Sequence, residues 1–203
     1  MMKEAPKFES VFRSLLGKPD LLRKVSLGCL FSFIPIVNVL SFGYLLQVCR
    51  ESRRHGVVVL PEWTDWRELI RDGIYFAAAW LIYWLIPVFV IHIISDSIDG
   101  ILYGIPAYLL TVAAMILCSL LLTAALYRFL QRSDLRTLLQ VSLILRMARG
   151  LLPAANVAVL ATVGLAAISW PLYGIAFFIS PLLLIAYTTL YFRWIEEAAV
   201  GRA

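Results

Sequence analysis

The residues with chemical potential are few. His92 and Asp96 stand four apart, with Asp99 close behind. On a helix that spacing turns an imidazole and a carboxylate the same way, as a metal site or a general base requires. An ordinary polar exit from an apolar segment has the same composition, and is the plainer reading. Cys29, Cys49 and Cys118 are well separated and form no C-x-x-C pair, so neither a zinc nor a redox motif is present. Two of them lie inside apolar stretches, where thiols behave as small hydrophobes. His55 sits among arginines and reads as solvated. The chain carries no Walker loop, no G-x-S-x-G, no H-E-x-x-H and no dinucleotide fingerprint. Two histidines do not assemble a convincing Ser–His nucleophile. The expectation is a protein that is not an enzyme and uses no cofactor or metal.

The elements that must carry these residues are apolar. Hydrophobic residues make up 62% of the 203 and charged residues 15%, against about 45–50% and about 25% in soluble domains. The excess is concentrated. Residues 25–48, 74–94, 101–127 and 151–192 contain no Asp, Glu, Lys or Arg and together cover over half the chain. Since about 20 apolar residues cross a bilayer, this is a polytopic helical membrane protein, all-α. A secreted disulfide scaffold, a coiled coil, a disordered tail and a soluble enzyme are excluded. No ionisable Asp, Glu, Lys or Arg lies inside a predicted span, which argues against an ion-coupled carrier, a proton relay or a voltage sensor. A carrier of neutral or lipid solutes stays open, because such sites can be apolar.

Topology follows from the basic residues, which stay cytoplasmic near span ends. Were residues 25–48 one simple span, two Arg-rich loops (49–73 and 128–150) would face outward. If that segment enters and leaves on one side, every basic cluster is cytoplasmic and only the acidic link 95–100 is external. Pro35 and Asn38 at its midpoint supply the break, since proline disrupts a helix interior. The expectation is an N-terminal re-entrant hairpin plus four transmembrane helices in a single membrane domain, 25–192, with hairpins at 25–48, 74–127 and 151–192. A Pro-kinked single span is the alternative for the first. The last hairpin turns at 169–174, where Trp170, Pro171, Tyr173 and Gly174 combine turn and interface residues. Residues 1–24 form a cytoplasmic amphipathic segment and 193–203 a cytoplasmic tail. No cleavable signal peptide is expected, and the location is the cytoplasmic (inner) membrane.

Polar connectors precede the hairpins. In 62–72 a helical wheel places Trp63, Trp66, Leu69 and Ile70 on one face and Arg67, Glu68, Arg71 and Asp72 on the other. Pro61 suits the first turn, and Glu62 and Asp65 suit the positive end of the dipole. Such a helix would lie in the interface with both indoles among the headgroups. Arg128, Arg132 and Arg136 recur every fourth residue, a basic stripe extending the third apolar stretch toward lipid. The net charge of +5 is accounted for by topology and by anionic lipid headgroups, so no nucleic acid is expected as a partner. Small residues in 154–167 permit close helix packing, within the chain, in a homo-oligomer or against another membrane protein. Pro35-Ile-Val-Asn38 is echoed by Pro153-Ala-Ala-Asn156, a weak hint of a duplicated hairpin.

The heptapeptide Leu60-Pro61-Glu62-Trp63-Thr64-Asp65-Trp66 resembles a motif of the small bacterial and archaeal membrane proteins grouped as domain of unknown function 4013. Ile34-Pro35-Ile36-Val37, Gly43-Tyr44-Leu45, the basic cluster 50–54, Leu69 and Asp72-Gly73 match that family in order. The resemblance is strongest over 25–90 and weak after 128. It implies a topology and no catalytic residues. The functional expectation is a non-enzymatic scaffold, accessory subunit or lipid-organising element, with a small permease or lipid-translocating subunit as the alternative.

Overall fold

The computed structural model describes residues 5–102, 105–132, 134–168 and 173–200. All regular structure among them is helical: α1 (Phe8–Leu16), α2 (Leu21–Ser32), α3 (Asn38–His55), α4 (Trp66–Trp80), α5 (Ile86–Leu102), α6 (Ile105–Arg132), α7 (Val141–Ile168) and α8 (Tyr173–Val200). Among the described residues three helical runs are long and apolar enough to cross a membrane, Trp66–Ser97, Tyr108–Gln131 and Gly174–Ala199. Even the shortest, 24 residues, extends about 36 Å against a hydrocarbon core of about 30 Å. The chain is an all-α, multi-pass membrane protein.

Helix breaks fall where backbone chemistry demands them. The first apolar segment is broken at residues 33–37, around Pro35, between α2 and α3. Pro87 is accommodated differently: a π-helical turn, Leu81–Leu85, immediately precedes it and joins α4 to α5. A proline removes one N–H and crowds the carbonyl four residues back, which a wider turn relieves. Of the last expected turn, 169–174, residues 169–172 lie outside the described residues, and Tyr173 and Gly174 open α8.

Several expectations are corrected. The connector 62–72 is not a separate interfacial helix: residues 61–65 are non-helical, and Trp66 begins the long run that continues to Ser97. The acidic link is helical, since α5 runs to Leu102; residues 103 and 104 lie outside those described. Helix α6 ends at Arg132, and Arg136 follows on a 3-10 turn, Leu135–Leu139, so the basic stripe does not run along one helix. The Pro–Asn echo is not structural, for Pro35 marks a break whereas Pro153 and Asn156 lie within continuous helix.

The chain divides into two compact units, Met1–Phe76 with Pro153–Ala203, and Ala77–Leu152. In the first, α2 and α3 pack on each other and both pack on α8, which also receives α1. Tyr44, Leu45, Leu46, Phe178 and Leu182 are almost wholly buried there. Two crossings depend on missing side chains. A Cβ at Gly43 would lie 1.9 Å from the Leu69 carbonyl oxygen, and one at Gly73 2.0 Å from that of Val39. Each glycine thus meets the residue four before the other, so α3 and the start of α4 cross antiparallel at backbone contact. The second crossing seats the rings of Phe178 and Phe33 against Gly28 and Gly174, holding α2 to α8. In the second unit α5 and the π turn pack on α6, the Tyr83 hydroxyl donates to the Leu138 carbonyl, and Trp84 Nε1 donates to Ser119 Oγ at 3.0 Å.

Candidate functional site

The family-like heptapeptide lies in the non-helical segment after α3. That helix ends at Gly56, whose φ of 72° is left-handed and whose N–H donates to the Ser52 carbonyl at 2.9 Å. Arg193 of α8 closes the same end, its Nη1 donating to the Arg53 carbonyl at 2.6 Å. A cation there complements the negative end of the helix dipole. The chain then turns back along α3, where Val59 N donates to Ser52 Oγ at 3.1 Å.

Nearly every residue of the heptapeptide has a defined partner. The Leu60 carbonyl accepts from Lys24 Nζ at 2.8 Å, and that of Pro61 from the Tyr44 hydroxyl at 3.1 Å. Glu62 receives Lys24 Nζ at 2.6 Å and Arg23 Nη2 at 2.9 Å. The Lys24 hydrogen bond holds its carboxyl below the usual range against a smaller desolvation effect, and the charges of Lys24 and Arg23 add to this. Lys24 is itself 92% buried at the side chain, which requires this full set of partners. Trp63 is 9% exposed; its ring stacks on Tyr44 with centroids 4.1 Å apart and planes 4° from parallel, and its Nε1 donates to the Lys24 carbonyl at 3.3 Å. Asp65 is the true start of α4: its Oδ1 accepts from Glu68 N at 3.1 Å and its carbonyl from Leu69 N at 2.9 Å. Trp66, at 46% exposure, faces outward beside Phe31.

About two turns further, Asp72 is 1% exposed at the side chain and takes a two-pronged bond from Arg50, at 2.8 and 3.0 Å. Arg50 also reaches Glu68 at 3.1 Å, and Arg71 reaches Glu68 at 3.3 Å. The arrangement is a clasp. Residues 60–72 tie α2 through Lys24, α3 through Tyr44 and Arg50, and the start of α4 into one polar and aromatic knot. Its acids and cations bind one another, so its chemistry is adhesion between elements.

The remaining candidates are placed apart from the clasp. Pro35 is exposed at the turn between α2 and α3. Asn38 opens α3 with its Oδ1 buried and accepting no hydrogen bond from the protein. Arg128 donates to Gln131 and, at 3.4 Å, to Gln140. Arg136 is exposed, and the side chain of Arg132 lies outside the described residues, as does that of Asn156. His92 Nδ1 and Asp96 Oδ1 lie 3.7 Å apart, and both side chains are more than half exposed. Among the described residues no group of three His, Cys, Asp or Glu comes together, and the three cysteines are buried and unpaired as disulfides. Sequence reasoning missed Lys24, Tyr44, Arg50 and Asp72 as members of one site. The nearest signal was the pair of glycines flanking them, Gly43 and Gly73, whose lack of a side chain marks the close crossing.

A family model described as "Protein of unknown function (DUF4013)" matches residues 27–186. That is most of the chain, and it includes residues 60–72, Tyr44 and Arg50 of the clasp and both glycine crossings, with Arg23 and Lys24 just before it, so the chain belongs to this family. No curated protein and no solved structure is matched by the chain.

Proposed function

We propose that this member of the DUF4013 family is a non-enzymatic scaffold that organises lipid in the cytoplasmic leaflet of the cytoplasmic membrane, with both termini cytoplasmic. The observation that carries the proposal is the clasp. The densest set of polar side chains in the first unit is engaged internally, in holding a short helical pair at a set geometry. The α2 helix has 12 residues, about 18 Å of rise, and cannot cross a core of about 30 Å. The turn of the pair presents Ile34 and Ile36, at 49% and 86% exposure, an apolar tip suited to acyl chains. A wedge entering one leaflet, with Trp66 exposed beside Phe31, adds volume to that leaflet alone.

The experiment is partitioning of the labelled full chain between a giant vesicle and a thin membrane tube drawn from it. Enrichment on the tube, reduced by Ile36→Ser and by Trp66→Ala, is the expected outcome; equal density on tube and vesicle defeats the proposal. The same-side topology is tested in a Cys-free background with Val57→Cys and Ser97→Cys, both at exposed positions. Labelling of Val57→Cys from the cytoplasmic side and of Ser97→Cys from the outside agrees with a re-entrant pair; labelling of Val57→Cys from the outside defeats it.

One observation favours a second reading, a small permease: the buried Asn38 Oδ1 at the helix break lacks a donor. A water-filled path there makes cysteines across 33–40 reactive to a membrane-impermeant thiol reagent. Lack of reaction along that stretch removes the reading.

A further inference from the structure

We propose that the segment joining α6 to the apolar part of α7 is a docking surface for anionic lipid. In it Arg136, Arg146 and Arg149, with Arg128 behind them, meet headgroup phosphates, and Leu139 and Leu145 enter the acyl boundary. The proposal rests on the lipid-organising reading above and assigns it a headgroup chemistry and a location.

Three observations carry it. First, the arginines here have no acid. Among the described residues none of Arg128, Arg136, Arg146 and Arg149 makes an ion pair, whereas Arg13, Arg23, Arg50, Arg53, Arg54, Arg71 and Arg193 of the first unit all do. The single acid of the segment, Asp134, caps the 3-10 turn by accepting from Arg136 N at 2.9 Å. Arg128 is half-buried, bonded only to the neutral side chains of Gln131 and Gln140, and its Nε is buried without an acceptor. A guanidinium held this way keeps its full charge available to an incoming anion.

Second, the segment has two faces. Thr137, Leu138, Ile144 and Ala148 are buried. The other side presents Leu139 at 74%, Val141 at 49%, Leu135 at 46% and Leu145 at 37% exposure, interleaved with the exposed arginines. Leucines and arginines sharing one outer face suit the boundary between acyl chains and headgroups, where the cation rises to the phosphate and the aliphatic groups sink. Third, the span Tyr108–Gln131 ends where this segment begins, which sets it at headgroup depth.

The test uses the purified full chain in detergent, offered an equimolar mixture of phosphatidylglycerol and phosphatidylcholine with identical acyl chains, with retained lipid counted by native mass spectrometry. A basic group close to an anionic surface is worth roughly five-fold in binding, so the wild type is expected to retain phosphatidylglycerol preferentially by at least roughly ten-fold. The triple variant Arg136→Gln, Arg146→Gln, Arg149→Gln loses that preference. The matched variant Lys7→Gln, Arg13→Gln, Arg67→Gln, of equal charge loss, keeps it. Replacing the same three segment arginines by Lys preserves most of it, which separates lost charge from lost folding. A triple Gln variant with undiminished preference overturns the proposal, as does an equal loss in the matched variant. Complete displacement by inorganic phosphate also overturns it, since the site would then serve a soluble anion. If the segment variants leave lipid selection intact while tube enrichment persists, only the docking surface fails. If tube enrichment is absent while lipid selection behaves as expected, only the shape-organising role fails.

Discussion

The two units of this chain use the same residue type in opposite ways. In the first, arginines and one lysine turn toward acids: Arg50 to Asp72, Lys24 and Arg23 to Glu62, Arg193 to Glu197 and the end of α3. In the second, arginines are more numerous than acids near α6 and α7 and make no ion pair among the described residues. Partner supply accounts for the difference. Residues 49–73 hold five arginines and five acids, whereas residues 128–150 hold five arginines and Asp134 alone. A buried carboxylate needs its cation, and breaking such a pair leaves an uncompensated charge. An exposed arginine at a membrane boundary needs none from the protein. The first unit's paired cations therefore hold its elements together, whereas those of the second unit have no acid to hold among the described residues.

Equivalent substitutions on the two sides should separate sharply. Arg50→Gln leaves Asp72, which is 1% exposed, with only the long contact to Arg71 at 3.9 Å, and should cost about 3 kcal/mol. A large fall in Tm of the detergent-purified chain checks it; an unchanged Tm would show that the pair does not stabilise the fold. Next comes Gly43→Ala, which pushes a methyl against the Leu69 carbonyl and should cost about 1–3 kcal/mol, read from the same melting curve. Its partner Gly73→Ala should behave alike, and the two together should be less than additive, because both widen one crossing.

A smaller effect is expected on acidification. The Glu62 carboxyl is held below its usual range, so it contributes stability above its unfolded pKa, and that contribution disappears as pH falls through the lower folded value. Tm of the wild type should decline across that acid window, and Glu62→Gln should start lower and show a shallower decline. Parallel curves for the two proteins would sever Glu62 from the clasp. Smallest of all is Arg146→Gln in the second unit. With no partner to strand, it should alter stability by no more than about 0.5 kcal/mol. A destabilisation near that of Arg50→Gln would erase the contrast between the units.

Particular residues show how far the sequence reaches. The break at Pro35 was legible because proline acts on its own backbone, and the long spans were legible because transfer into hydrocarbon depends on local composition. The helical wheel over 62–72 misled for an equally physical reason. Periodicity ranks Trp63 with Trp66 and Leu69, but Asp65 caps the helix between them, and Trp63 gains more by stacking on Tyr44 than by starting a helix. Similarly, the spacing of Arg128, Arg132 and Arg136 holds only while one helix continues, and α6 stops at Arg132.

By itself, the sequence determined an all-α membrane protein, its apolar spans, its first break and its excess of cations around 128–149, all properties of short windows. Tertiary structure decided which charges are neutralised. Arg50 and Asp72 are 22 residues apart, and Lys24 and Trp63 are 39 apart, separations at which periodicity carries no information. The Arg50–Asp72 pair forms where Gly43 and Gly73 let the backbones of α3 and α4 touch, and a carboxylate buried there could not remain unpaired.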